Sequence, residues 1–178
     1  MSELGTVKDL LEGEIKDLYS AEKQLTKAIP KMSEGSNDPE LSSAFAAHLK
    51  ETEGQIARLE EVAKLLETVP TGKRCKGMEG VIEEGAEALE EEGDENVLDL
   101  GIIGAGSRVE HYEMAGYTTA INLAKQLGNT KIVSLLTQTL NEEEAAEKKL
   151  RKIGEQILRK APASDVADKT KKMAASNN

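Results

Sequence analysis

The chain has 178 residues with 33 acidic against 23 basic side chains, a net charge of −10, so most of its surface repels phosphates and a nucleic-acid partner is not expected. Three Tyr, one Phe and no Trp, set among abundant Ala, Leu, Glu and Lys, favour helices and disfavour a sandwich, barrel or Rossmann core. No run approaches the roughly 20 apolar residues of a membrane span, and Met1 leads into a charged amphipathic stretch, which together suggest a soluble, cytoplasmic protein with no membrane partner.

Turn signals around Pro39, Pro70–Gly72, Gly93–Asp94 and Gly128–Asn129 separate four long helical segments. The first, over 7–32, carries Leu11, Ile15, Leu18, Glu22, Leu25, Ile29 and Met32 at the 4-then-3 spacing of a packed bundle, and Pro30 should bend or fray its last turns. The second, over 39–67, starts with Pro39 behind the N-cap Asp38 and presents Leu41, Phe45, His48, Thr52, Gln55, Leu59, Val62 and Leu66, with Glu51 alongside. Roughly 28 residues follow, in which Met78, Val81, Ile82, Ala86 and Leu89 mark a short amphipathic helix and the acidic run 83–95 its solvated face.

The third long helix, over 96–127, presents Ile103, Gly106, Glu110, Glu113, Tyr117, Ala120 and Ala124. The glycines between 101 and 106 follow no strand, so they mark close helix packing and not a dinucleotide loop. The fourth, over 130–160, presents Val133, Leu136, Leu140, Glu143, Glu147, Leu150, Gly154 and Ile157. Beyond 161 no apolar period remains, and a disordered tail is expected over 161–178. Without its three Lys and two Asp the body holds 20 basic against 31 acidic residues. Short turns make each sequential pair an antiparallel hairpin. Two hairpins joined by a long crossover give an all-α, ferritin-like four-helix bundle over 1–160, with a short extra helix in the crossover.

Each long helix is polar only near its middle. Burying one unpaired carboxylate costs several kcal/mol, and clustering adds repulsion. No Lys or Arg lies on these stripes, so a divalent cation, or two, must answer the charge. The single cysteine, Cys75, supplies neither a disulfide nor a Cys-based zinc site, which leaves oxygen and nitrogen ligands, as four-helix bundles commonly use. His48 is either a ligand or a hydrogen-bond partner of Glu51, and His111 is peripheral. Tyr19 and Tyr117 stand within a turn of candidate ligands and can support them. Cys75, among Lys73, Arg74 and Lys76, is either a somewhat acidified thiol or an unspecialised loop cysteine.

The segments Tyr19–Leu25, His48–Gln55, Cys75–Gly80, Val109–Glu113 and Leu140–Glu144 resemble the YciE/YciF-type proteins of the ferritin-like superfamily, over about residues 5–158. The resemblance implies a carboxylate-bridged dinuclear iron or manganese site, a role in stress and a homodimer. It carries metal-ligand positions onto Glu22, Glu51, Glu110, Glu113, Glu143 and Glu147, with His48, Gln55, Tyr19 and Tyr117 as supporting partners. The chain departs from the usual Glu-x-x-His pattern: Gly54 follows Glu51 and Ala146 follows Glu143 at that spacing, and Gln55 stands where many relatives have histidine. The expected function is therefore a metal-binding stress protein reacting with dioxygen or peroxide, with a non-enzymatic scaffold that has lost tight metal binding as the alternative. A DNA-protecting cage fits the acidic body poorly.

Overall fold

A computed structural model describes residues 5–163; the tail expected over 161–178 falls, from 164 onward, outside the described residues. The elements are α1 (Val7–Gly35), α2 (Pro39–Leu65), α3 (Lys76–Glu90), α4 (Glu95–Gln126) and α5 (Thr130–Leu158), and no strand occurs among the described residues. The fold is thus the expected all-α bundle with a short helix in the crossover.

Each helix start is capped by a side chain that the sequence supplies locally. Thr6 and Asp9 form a reciprocal capping box, with Asp9 N–H donating to Thr6 Oγ1 at 3.1 Å and Thr6 N–H to Asp9 Oδ2 at 2.8 Å. Asp38, Asp94 and Asn129 accept from the first-turn amides of α2, α4 and α5. Gly128 closes α4 with φ +68°, a conformation that suits glycine. Pro30 lies inside α1, yet the helix continues to Gly35 and does not fray there. Its last turn is held by Ser33 and Ser42, whose hydroxyls each donate to the other's carbonyl at 2.9 and 2.8 Å, and by Ser36, which bonds back to Met32 O.

The contacts fix the topology. Ser33 meets Ser42 and Tyr19 meets Glu60, so α1 and α2 are antiparallel. Asn37 reaches Asp99 while Glu22 reaches Tyr117, so α1 is also antiparallel to α4. Gln55 with Glu143 and Arg58 with Thr139 pair α2 with α5, and Ser107 with Glu147 pairs α4 with α5. The ring order is α1–α2–α5–α4, leaving α2 and α4 diagonal and parallel. After α2 the chain must return to the starting end, and α3 makes that climb antiparallel to α4, from Gly77 beside Tyr112 to Ala88 beside Gly101.

Two residues missed as structural in the sequence secure this arrangement. Asp99, 2 % exposed, accepts from the backbone N–H groups of Asn37 and Asp38 at 2.8 and 2.7 Å, tying the first turn to α4. Cys75 caps α3 and is fully buried; its thiol donates to Asp17 Oδ2 at 2.9 Å. Burial pushes that thiol up, so it is not acidified despite its basic sequence neighbours.

The apolar interior is divided in two. One cluster, including Leu25, Ile29, Phe45, Met78, Ile103, Val109, Leu150 and Ile157, fills the end near the α1–α2 turn. The other, including Leu11, Ile15, Leu59, Val62, Ile121, Ile132 and Leu136, fills the opposite end. Gly106 belongs to the first: a Cβ there would lie 3.0 Å from Leu150 and 3.3 Å from Phe45, which confirms close packing as the reason for glycine. Between the clusters lies a polar layer.

Candidate metal centre

One or two turns of each long helix build this layer. Glu22 comes from α1; His48, Thr52 and Gln55 from α2; Glu110 and Glu113 from α4; and Glu143 from α5. All seven are buried. They converge because the stripes of α1, α2 and α4 are buried as their spacing requires, with polar residues at the same height in each. On α5 the expected stripe is buried at Leu136, Glu143, Leu150, Gly154 and Ile157 and half-buried at Val133, Leu140 and Glu147, while Ile132, Leu135, Thr139 and Ile153 are buried beside it. A straight helix advances 3.6 residues per turn, and a strict seven-residue reading drifts off its face.

His48, Glu110, Glu113 and Glu143 each place one ligand-type atom within 4.8 Å of all the others. His48 Nε2 lies 3.4 Å from Glu110 Oε1 and 3.6 Å from Glu143 Oε2, while its Nδ1 bonds Glu51 Oε2 at 3.2 Å. Glu22 flanks the group and accepts a hydrogen bond from the Tyr117 hydroxyl. Gln55 Nε2 donates to Glu143 Oε1 and, at 3.3 Å, to Glu142 Oε2.

Several buried atoms nonetheless lack any hydrogen-bond partner: Glu22 Oε2, His48 Nε2, Gln55 Oε1, Glu110 Oε2, Glu143 Oε2 and both carboxylate oxygens of Glu113. Buried polar atoms are rarely left so. Desolvation is the main reason that the carboxyls of Glu22, Glu110 and Glu113 are all pushed well above the usual range, and it raises Glu143 as well. Their mutual repulsion adds to the effect, with Glu143 acting on Glu22 and Glu110, and Glu22 on Glu113. Arg58 reaches the edge of the layer from the flank of α2 but is taken by Glu142 and by Thr139 Oγ1 at 2.9 Å. The sequence reading did not single out this pair, and its only signal was an Arg one turn beyond Gln55.

Of the six carboxylates anticipated as ligands, Glu22, Glu110, Glu113 and Glu143 meet in the layer. Glu51 does not enter it. Its side chain is 48 % exposed and held by His48, which keeps its carboxyl below the usual range. Glu147 lies at the rim between α5 and α4, its side chain 12 % exposed, accepting from Ser107 at 2.8 Å, with His111 Nε2 at 3.6 Å. His111 is peripheral, as expected. Tyr117 supports Glu22, whereas Tyr19 donates to Glu60 at 3.1 Å and supports no member of the layer. This donor set, one imidazole with three or four oxygen-bearing acids, suits iron, manganese or another borderline-to-hard divalent ion.

Residues 6–163 match the DUF892 family, described as a domain of unknown function. The chain is 43 % identical to protein YciF of Escherichia coli strain K12 over 146 residues, covering 82 % of this chain and 88 % of that one. Its fold matches the crystal structure of the E. coli stress protein YciF with a TM-score of 0.86, at 40 % identity, over 89 % of this chain and 100 % of the other. A Rhodopseudomonas palustris protein, YcfI, matches with a TM-score of 0.81 at 44 % identity, over 84 % and 95 % of the two chains. A Xanthomonas campestris protein at 22 % identity shares the fold, with a TM-score of 0.68 over 86 % and 94 %.

Proposed function

The chain belongs to the DUF892 family, and from that premise we propose that it is a stress-response protein that binds iron or manganese in the polar layer, through His48, Glu110, Glu113 and Glu143. Glu22 is the further carboxylate that a second ion would draw on. The observation that carries this reading is Glu113, fully buried with neither oxygen partnered and no cation beside it. A divalent ion would satisfy those oxygens and offset the mutual repulsion that adds to desolvation in raising these acids. When bound, such an ion supplies one-electron chemistry toward dioxygen or peroxide. The chain's own residues position it: Tyr117 fixes one oxygen of Glu22, Gln55 fixes one of Glu143, and Glu51 on Nδ1 leaves Nε2 of His48 free to face the acids.

Elemental analysis of protein purified without chelators tests the proposal. One to two equivalents of iron or manganese in the parent, lost in Glu113→Ala, are expected. A metal-free parent that refuses reconstitution would favour a scaffold without tight metal binding, the reading favoured by the Gln55 amide on Glu143.

The same proposal takes the protein to be cytoplasmic and a homodimer too small to enclose a mineral. No helix among the described residues is long and apolar enough to cross a membrane. Light scattering should give about twice 19.2 kDa, and a shell of many subunits would contradict it.

A further inference from the structure

A cavity of about 630 Å³ between α1 and α3 touches none of the layer's acids, and Lys23, Lys27, Lys31 and Arg74 line it together with Glu79 and Glu83. A smaller one, about 100 Å³, opens between α2 and α5 and ends on His48 and Glu110. Those two residues are 5 % and 2 % exposed, and each turns an unpartnered atom, Nε2 or Oε2, into the buried site. The two helices also put Phe45 and Leu150 against this cavity. Along this seam they meet through Ala44 and Ala47 on one side and Ala145 and Ala146 on the other, with Ala47 and Ala145 exposed to solvent. Glu51 and Lys149 stand at the mouth, and Glu51 bonds inward to His48.

We propose that this alanine-lined gap is the port through which a divalent cation reaches the acids, with Glu51 as its outer way-station; the inference rests on the metal-binding reading above. Charge favours this path over the wider groove, where Lys23, Lys27, Lys31 and Arg74 outnumber Glu79 and Glu83. Size sets the passing species. At about 30 Å³ per water the cavity holds roughly three, so an ion enters with part of its hydration removed and replaced by carboxylate oxygens in turn, first Glu51 and then Glu110. Lys149 opposes the cation at the threshold and lowers its local concentration.

Rapid mixing of the full chain with Co²⁺, followed by quenching of tyrosine emission, tests the port, with equilibrium dialysis fixing the final occupancy. Ala47→Leu and Ala146→Leu, one on each wall, should each slow uptake about tenfold or more with unchanged final occupancy. Lys149→Gln, which leaves the packing alone, should speed it about twofold. Ala86→Leu in the other groove should do nothing. Parental rates in both wall variants, or slower uptake in Lys149→Gln, would overturn the port while leaving the metal site standing. A parent that takes up no Co²⁺ would overturn both.

Discussion

The polar layer has two unlike sides. Where α2 meets α5, every acid has a partner: Gln55 donates to Glu143 and Glu142, Arg58 answers Glu142, and His48 holds Glu51. Where α1 meets α4, Tyr117 supplies one hydrogen bond to Glu22, and Glu113 has none. Glu22 and Glu113 on one side and Glu143 on the other are all fully buried, so burial of these acids alone does not distinguish the sides. The difference lies in donors, which leaves the acids of the α1–α4 side the less answered of the two.

Making the better-supplied side resemble the other should have the largest effect. Gln55→Glu removes the donor on Glu143 and adds a buried acid, and should cost the metal-free protein about 3–5 kcal/mol by denaturant titration. Tyr117→Phe removes the one donor on the α1–α4 side. It leaves Glu22 wholly unpartnered, at a cost of about 1–3 kcal/mol in the same assay. The reverse change, Glu113→Gln, deletes a charge where none is answered. It should stabilise the metal-free protein by about 1–2 kcal/mol, one pKa unit of relief being about 1.4 kcal/mol.

The contrast also has a pH signature. Glu22, Glu110, Glu113 and Glu143 all have carboxyls raised on folding. Between the ordinary carboxylate range and these higher values, the folded chain therefore binds more protons than the unfolded one. Metal-free stability should rise as pH falls from 7 toward about 5, and be lost again as pH rises through the raised values. In Glu113→Gln the slope should be shallower; an equal slope would place the strain elsewhere. The smallest effect lies outside the layer, at Glu67, which ends α2 with φ +58°. Glu67→Gly should gain about 1 kcal/mol in thermal melts without altering the pH slope.

Much of this was legible because bundle helices repeat their contacts. The four long helices, their antiparallel pairing and the crossover helix follow from apolar spacing and from turns at Asp38–Pro39, Asp94 and Gly128. The buried faces of α1, α2 and α4 are those that the stripes of Leu11, Leu41 and Ile103 indicate. On α5 the repeat finds the buried Leu136, Glu143, Leu150, Gly154 and Ile157, but its members Val133, Leu140 and Glu147, seven residues apart, drift to the rim, where only packing against α2 and α4 decides how far a side chain reaches inward. Asp99 and the Arg58–Glu142 pair were not legible, since a charge that caps a distant loop or answers another helix carries no local pattern. The same holds for Cys75, whose basic neighbours in sequence point elsewhere while Asp17, 58 positions away, accepts its thiol's hydrogen bond.

The central claim, that the layer is short of a cation at Glu113, is tested most directly by calorimetry of the metal-free protein with and without Mn²⁺. Binding only the folded state adds about 2.7 kcal/mol at a free concentration one hundred times Kd. The parent's Tm should therefore climb with Mn²⁺ concentration, while that of Glu113→Gln, already relieved of the charge, should start higher and stay nearly level. A parent Tm that does not move across the Mn²⁺ series, or a Glu113→Gln variant that climbs as steeply, would contradict it.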